Sequence, residues 1–172
     1  MVKRKASLVL RGGAKFDGYL FGAEAPSAGE VVFNTGMVGY PEAITDASYY
    51  GQILVLTYPL IGNYGVPSDD KDSHGFPLHF ESDRIQVRGL ITSNYHGRYH
   101  HWAASQSLGD WLAGDGIPGI HGIDTRALTR YLRDRGTELG KIVIDGLAEP
   151  DWYDPSQENV VSLVSRGQPV DY

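Results

Sequence analysis

Hydrophobic positions in this chain fall into short runs that glycine and proline separate, which favours strands over long helices. Gly12 and Gly13 stand between SLVL (7–10) and AKFDGYLFG (14–22), and this spacing is typical of a β-hairpin. GEVVFNT (29–35) alternates strictly, whereas QILVLTYP (52–59) is apolar on both faces. We therefore expect two further strands there, the second of them central in a sheet.

Three later segments also have the character of strands. RIQVRGLIT (84–92) alternates, with Gln86 and Arg88 on the polar face, and GKIVIDG (140–146) is the next extended segment. After Leu147 the chain becomes polar and rich in turn residues, until VVSLVS (160–165) predicts one last extended piece.

Helical signals are local and come with caps. Ser107 and Asp110 form a capping-box pattern at the start of SLGDWLAG (107–114). Asp124 caps the next helix, and Gly136 ends it after two arginines of its last turn. Pro41 suits the first position of a short helical turn in PEAIT. Apolar stripes with helical spacing accompany the caps, at Leu108, Trp111 and Leu112 and at Leu128, Tyr131 and Leu132.

Composition places the chain among globular proteins with one core. It has 172 residues, of which 22 are Gly and 9 are Pro, so turns and short elements should be frequent. Together with the patterns above, this predicts a fold of the α+β class: a small, β-rich mixed domain with two or three short helices.

Charge and cysteine content exclude several functions. A net charge of −6 argues against a nucleic-acid partner, and the absence of Cys excludes disulfides, thiolate metal sites and a Cys nucleophile. The longest uncharged apolar run, around 53–61, is too short to span a membrane. The uncharged stretch Ala6 to Leu10 is too short for a secretory signal, so we expect a cytoplasmic protein, or a mitochondrial one if a transit segment was removed.

Two motifs resemble ligand sites, but their context does not support either function. GDGIPG (114–119) has the spacing of a dinucleotide loop, yet a predicted helix precedes it, so a turn at a helix end is expected. Residues 70–81 place Asp70, Asp72, Gly75 and Glu81 at calcium-loop positions. No helical pattern flanks that segment, and we expect an acidic surface loop.

Histidine and serine supply the remaining candidate chemistry. His96 and His100 have the spacing of zinc ligands on a helix, with His101 beside them, but Gly97 argues against a helix and no carboxylate completes the set. We expect no metal site, and a solvated loop whose Trp102 packs onto the core. Ser48, in TDASYYG, has no partner base in sequence. Its hydroxyl could bind a ligand from a turn that Asp46 braces, or it could simply cap that turn.

Long motifs around these residues resemble one known family. They are GEVVFNTGMVGYPEAITDASYYGQILVLTYPLIGNYG (29–65), GIPGIHGIDTRALTRYLRDRG (116–136) and GKIV (140–143). The chain is similar to the N-terminal domain of the small, glutamine-using chain of carbamoyl-phosphate synthase, most of all to the versions fused into multifunctional pyrimidine enzymes of eukaryotes. The resemblance divides the chain into that domain (1–146) and an extension (147–172) that leads toward a glutaminase domain.

The resemblance implies a non-catalytic role. In the family, a following class I amidotransferase domain hydrolyses glutamine with its own Cys and His, and a large synthase chain uses the ammonia, ATP with Mg, and bicarbonate. A domain like this one packs against both and has the mixed fold of strands with few helices expected above. In the D-P-S-Y motif of the family the Ser contacts glutamine, and Ser48 matches it here, with Ala47 in place of the Pro.

On this basis the chain is expected to bind no cofactor and no metal of its own, to hold no catalytic residue, and to be inactive in isolation. Its expected partners are the glutaminase domain, the synthase large chain or domain, and L-glutamine, with no nucleic acid and no membrane. Two alternatives remain open: a free-standing binding or scaffold module derived from that enzyme, and a metal-dependent enzyme that uses His96, His100 and His101.

Overall fold

The computed structural model describes residues 4–167, and within that range it contains strands, short α-helices and two 3₁₀ turns. The strands are β1 (Lys5–Leu10), β2 (Lys15–Gly22), β3 (Ser27–Asn34), β4 (Gln52–Leu56), β5 (Val66–Pro67), β6 (Gly89–Thr92), β7 (Ala104–Gln106), β8 (Pro118–His121) and β9 (Glu138–Ile144). The helices are α1 (Tyr40–Thr45), α2 (Leu108–Gly114), α3 (Thr125–Arg135) and α4 (Val160–Val164), and the 3₁₀ turns are Ala47–Tyr49 and Pro155–Gln157.

A closed barrel is the centre of the fold. Its strands follow the order β1-β2-β8-β6-β4-β3-β9, and β9 pairs with β1 to close the sheet. The four neighbours β3, β4, β6 and β8 run parallel, while the remaining pairs are antiparallel. Parallel neighbours need long crossover connections, and these carry α1, α2 and the separate pair of β5 and β7.

The barrel interior and its outer surface each have an apolar cluster. Alternate residues of β4 serve both: Ile53 and Val55 face inward, whereas Leu54 and Leu56 join the outer cluster with α1 and α2. Leu128 and Leu132 of α3 are buried in the inner cluster. The remaining inner residues of the strands are Ala6, Leu8, Leu10, Val31, Ile91, Ile120, Ile142 and Ile144.

Most sequence-based predictions of local structure are confirmed. β1 and β2 form the hairpin, and β4 lies between β3 and β6 as a central strand. The Ser107 side chain accepts a hydrogen bond from the Asp110 N–H, at 3.1 Å, and Asp124 accepts one from Ala127, at 2.9 Å. The fold is a small α+β domain as expected, although the described residues contain four short α-helices instead of two or three.

Two strand predictions are wrong in part or in whole. Only Gly89–Thr92 of the segment 84–92 is a strand, because the backbone N–H and C=O of Gln86 bond to Ile44 and Gly51 in the α1 connection and not to a neighbouring strand. Gln86 is consequently buried, where alternation predicted an exposed side chain. VVSLVS is not extended: Asn159 caps helix α4 by accepting from the Ser162 N–H.

No helix within residues 4–167 is both long enough and apolar enough to cross a membrane.

Candidate functional site

The connection from β3 to β4 carries the candidate site. It starts with a glycine loop, and Gly39 takes a left-handed backbone with φ of 82° immediately before α1. Pro41 lies in the first turn of α1, as its fixed φ favours. At the other end of the helix the Thr45 hydroxyl donates to the Pro41 carbonyl at 2.9 Å. The helix therefore has defined ends, and the turn that follows it starts from a fixed point.

Ser48 lies in the middle of the 3₁₀ turn Ala47–Tyr49, and Asp46 holds that turn. The Asp46 carboxylate accepts the Ser48 N–H at 2.8 Å, and its carbonyl accepts the Tyr49 N–H at 3.0 Å. The prediction that Asp46 braces the turn is confirmed, and the cap is Asp46, not Ser48. Ser48 is exposed, and within residues 4–167 its hydroxyl makes no hydrogen bond. A ligand can therefore use it as a donor or an acceptor.

Both sides of this turn are held by hydrogen bonds to other parts of the domain. The Tyr49 hydroxyl accepts a hydrogen bond from the Asn34 side chain at 3.2 Å, at the end of β3. The Gly51 N–H donates to the Gln86 carbonyl at 3.3 Å, just before β4 begins. A short turn held at both ends presents its central side chain with little freedom.

Residues after the barrel also contact this region, which the sequence did not reveal. The backbone of Gly51 lies against the side chains of Tyr153 and Pro155, and Pro155 is buried. The segment containing them is polar and turn-rich, so periodicity contains no signal for this contact.

The acidic loop at residues 70–81 has its own internal hydrogen bonds. The Asp72 carboxylate accepts the N–H groups of His74 and Phe76, at 2.8 and 2.9 Å, and Lys71 pairs with Asp83 at 3.3 Å. Across the described part of the chain, no three His, Asp or Glu side chains converge as metal ligands.

The histidine segment does not form the helix that a zinc spacing would require. His96, His100 and His101 lie outside helices and strands, and His96 and His100 bond through their backbones to the loop at residues 61–63. The prediction that Trp102 packs onto the core is wrong, because this side chain is 92% exposed. It contacts the ring of His101 instead, with centroids 5.5 Å apart.

The glycine motif at residues 114–119 lacks the geometry of a dinucleotide loop. Helix α2 ends at Gly114 and strand β8 starts at Pro118. No helix begins inside the motif, so no helical N–H groups are directed at a phosphate there. The segment is the turn at a helix end that its context predicted.

Comparison with known proteins identifies relatives over nearly the whole chain. The family model described as carbamoyl-phosphate synthase small chain, CPSase domain, matches residues 8–142. The multifunctional protein URA2 of Saccharomyces cerevisiae is 46% identical over 98% of this chain, and the multifunctional protein CAD of Squalus acanthias is 50% identical over 97%. The arginine-specific carbamoyl phosphate synthase small chain of Aspergillus oryzae is 47% identical over 96%.

These relatives are much longer than the chain. It spans 8% of the two multifunctional proteins and 38% of the Aspergillus small chain. Relatives named arginine-specific small chains and relatives named multifunctional proteins match at similar identity, so these matches do not assign the chain to one type.

Proposed function

The chain belongs to the family of carbamoyl-phosphate synthase small chains, and on that premise we propose that it is the non-catalytic N-terminal domain of a glutamine-dependent carbamoyl-phosphate synthase. In this role it packs against a glutaminase domain and against the synthase large chain or domain. It helps to form the glutamine site from which ammonia reaches carbamoyl phosphate synthesis. The match over residues 8–142 supports this role, and so do relatives that are small chains or multifunctional proteins.

The proposed glutamine site rests on the position and surroundings of Ser48. Ser48 is exposed, its hydroxyl has no hydrogen-bond partner within residues 4–167, and it lies on a turn that Asp46 and Tyr49 hold in place. A hydroxyl in this position can donate to a carboxylate or accept from an amine or amide, and glutamine has all three groups. Because the group is positioned before the ligand arrives, little conformational entropy is lost on binding.

Catalysis is assigned to other parts of the proposed enzyme. The chain contains no Cys, so it has no thiol nucleophile for glutamine hydrolysis, and within residues 4–167 the Ser48 hydroxyl makes no hydrogen bond to a side chain that could act as its base. ATP and Mg are proposed to bind to the synthase large chain or domain. This chain by itself is therefore expected to release no ammonia from glutamine.

A comparison of two nitrogen donors tests the proposal. In the full-length protein that carries this chain, Ser48→Ala should lower kcat/KM for glutamine about threefold to tenfold, as expected for loss of a hydrogen bond worth about 0.5–1.5 kcal/mol. Ammonia-driven synthesis should be almost unchanged, because free ammonia bypasses the glutamine site. Ser73→Ala is the matched control, since Ser73 is also exposed and its hydroxyl makes no hydrogen bond within the described residues.

Two results would contradict the assignment of Ser48. Equal losses with glutamine and ammonia would mean that Ser48 supports the fold or a domain interface and not the substrate. Unchanged glutamine kinetics would remove Ser48 from the site. Glutamine hydrolysis by this chain alone would contradict its non-catalytic role.

A further inference from the structure

Residues 153–155, here called the strap, return to the barrel after β9 and lie beside the start of β4. The guanidinium of Arg88 lies over the ring of Tyr153, 4.2 Å from its centroid. Arg88 is itself fixed, because its Nε donates to the Ala28 carbonyl at 2.8 Å. The Tyr153 hydroxyl donates to Glu158 at 2.8 Å, and Pro155 is buried. These contacts hold the strap against the rest of the domain.

The strap lies directly on Gly51. A Cβ built on Gly51 would lie 3.0 Å from the Pro155 Cβ and 3.3 Å from the Tyr153 ring and hydroxyl. Gly51 also has φ of +77°, a conformation that glycine adopts without strain. Both facts call for glycine at this position, and the lack of a side chain is what lets the strap approach so closely.

Gly51 directly follows the turn that carries Ser48. The turn ends in a hydrogen bond from the Tyr50 N–H to the Ala47 carbonyl, at 3.1 Å, and the next N–H, that of Gly51, bonds to Gln86. A displacement of Gly51 would thus alter two consecutive hydrogen bonds beside Ser48. The strap covers the C-terminal side of the turn, and Asp46 holds the N-terminal side.

We propose that the strap positions Ser48, with Tyr153 and Pro155 holding Gly51 and thereby the orientation of the Ser48 hydroxyl. Tyr153 is a positioning residue in this proposal: it acts through the turn and does not touch the substrate. The inference rests on the proposed role of Ser48 in binding glutamine. Under this proposal, glutamine affinity depends on whether the strap after β9 is packed against Gly51.

The kinetic test removes the Tyr153 ring in the full-length protein that carries this chain. Tyr153→Ala should raise KM for glutamine severalfold, by no more than Ser48→Ala does, with kcat at saturating glutamine and ammonia-driven synthesis unchanged. Tyr153→Phe keeps the ring against Gly51 and Arg88, so it should restore the KM of the unmodified protein. Trp152→Ala is a neighbouring control, because Trp152 packs against Lys141, 4.5 Å from its ring centroid. An unchanged KM in Tyr153→Ala, or an equal loss with ammonia, would overturn the proposal.

A double-mutant cycle separates positioning from general support of the domain. If Tyr153 acts through Ser48, Tyr153→Ala should add nothing to the loss in a Ser48→Ala background. Additive losses would mean that the ring acts on glutamine by another route, and the proposal would fail.

Hydrogen exchange tests the strap independently of glutamine. In the same full-length variants, mass spectrometry of a peptide covering residues 46–52 should show faster exchange in Tyr153→Ala than in Tyr153→Phe, because the amides of that turn lose their support. If Ser48→Ala leaves glutamine kinetics unchanged, the proposed glutamine site fails, and this measurement alone decides whether the strap holds the turn. Equal exchange in the two variants would overturn the strap proposal.

Discussion

Tyr64 contacts Tyr40 in two ways: its ring stacks on the Tyr40 ring, with centroids 4.2 Å apart, and its hydroxyl accepts the Tyr40 backbone N–H at 3.1 Å. The same hydroxyl accepts the Gly39 N–H at 2.9 Å. Helix α1 has no side-chain cap of its own, so a residue from a distant loop supplies the acceptor for its first N–H groups. Burial is the main cause that raises the pKa of both tyrosines above the ordinary value.

Replacing Tyr64 by Phe should destabilise the domain. The change keeps the stacked ring but leaves two backbone N–H groups without an acceptor, which costs about 1–3 kcal/mol. Urea unfolding of the variant and of the unmodified domain measures this loss as a difference in the free energy of unfolding. Tyr58→Phe is the control, since the Tyr58 hydroxyl makes no hydrogen bond within the described residues. Equal stability of the two variants would show that water replaces Tyr64 as the acceptor.

The N-terminus of α3 should depend on Asp124, whose carboxylate accepts the Ala127 N–H at 2.9 Å. Asp124→Ala should lower the free energy of unfolding by about 1 kcal/mol. Asp134→Ala makes the same chemical change in the last turn of the helix, where a negative charge opposes the helix dipole, so it should not destabilise. Similar losses in both variants would indicate a general effect of charge and not of capping.

Trp102 should dominate quenching of tryptophan fluorescence. The chain has 3 Trp: Trp102 is 92% exposed and Trp152 43%, whereas Trp111 stacks on Phe80 with centroids 5.3 Å apart. Trp102→Phe should therefore remove most of the emission that iodide quenches, and Trp111→Phe should leave that fraction in place. If iodide quenches both variants alike, Trp102 is covered in solution by another part of the protein or by a second copy.

Tyr153 should titrate at unusually high pH. Burial first, and then its hydrogen bond to Glu158, raise the pKa of Tyr153 to about 12, from an ordinary value of 10.0. The stability that this shift contributes is fully present below pH 10.0 and is lost as pH rises toward 12. The difference in phenolate absorbance between the unmodified chain and Tyr153→Phe should thus show one tyrosine titrating near pH 12. An absorbance difference centred at the ordinary pKa would mean that Tyr153 is not packed against the domain in solution.

Local signals in the sequence predicted α2, α3 and the turn at Ser48 because each depends on residues three or fewer positions apart. Ser107 reaches Asp110, Asp124 reaches Ala127, and Asp46 reaches Ser48. Barrel closure depends on pairs such as Ala6 with Ile144, which no local pattern encodes. The same limit applies to the contact of Tyr153 with Gly51, which joins residues about a hundred positions apart.

The error at VVSLVS has a related cause. Its β-branched residues have strand propensity, but a strand needs a partner edge, and the closed barrel offers none. Asn159 caps the segment locally, and Arg84 bonds to the Leu163 carbonyl at 2.9 Å, so the backbone finds its hydrogen bonds in a short helix. The prediction that Trp102 packs onto the core is wrong because a large aromatic side chain is usually buried, whereas this one lies on an exposed loop.

The glycines in the barrel strands show how much room the barrel interior has for a ligand. A Cβ on Gly140 would lie 2.5 Å from Val31, and one on Gly18 would lie 2.7 Å from Ile120. A Cβ on Gly89 would overlap the Cδ1 methyl group of Ile142, which reaches it from the other side of the barrel. The lumen is so narrow that a methyl group would not fit at these positions. This barrel therefore differs from those that carry small molecules inside, and any metabolite it recognises must be held by the loops at its surface.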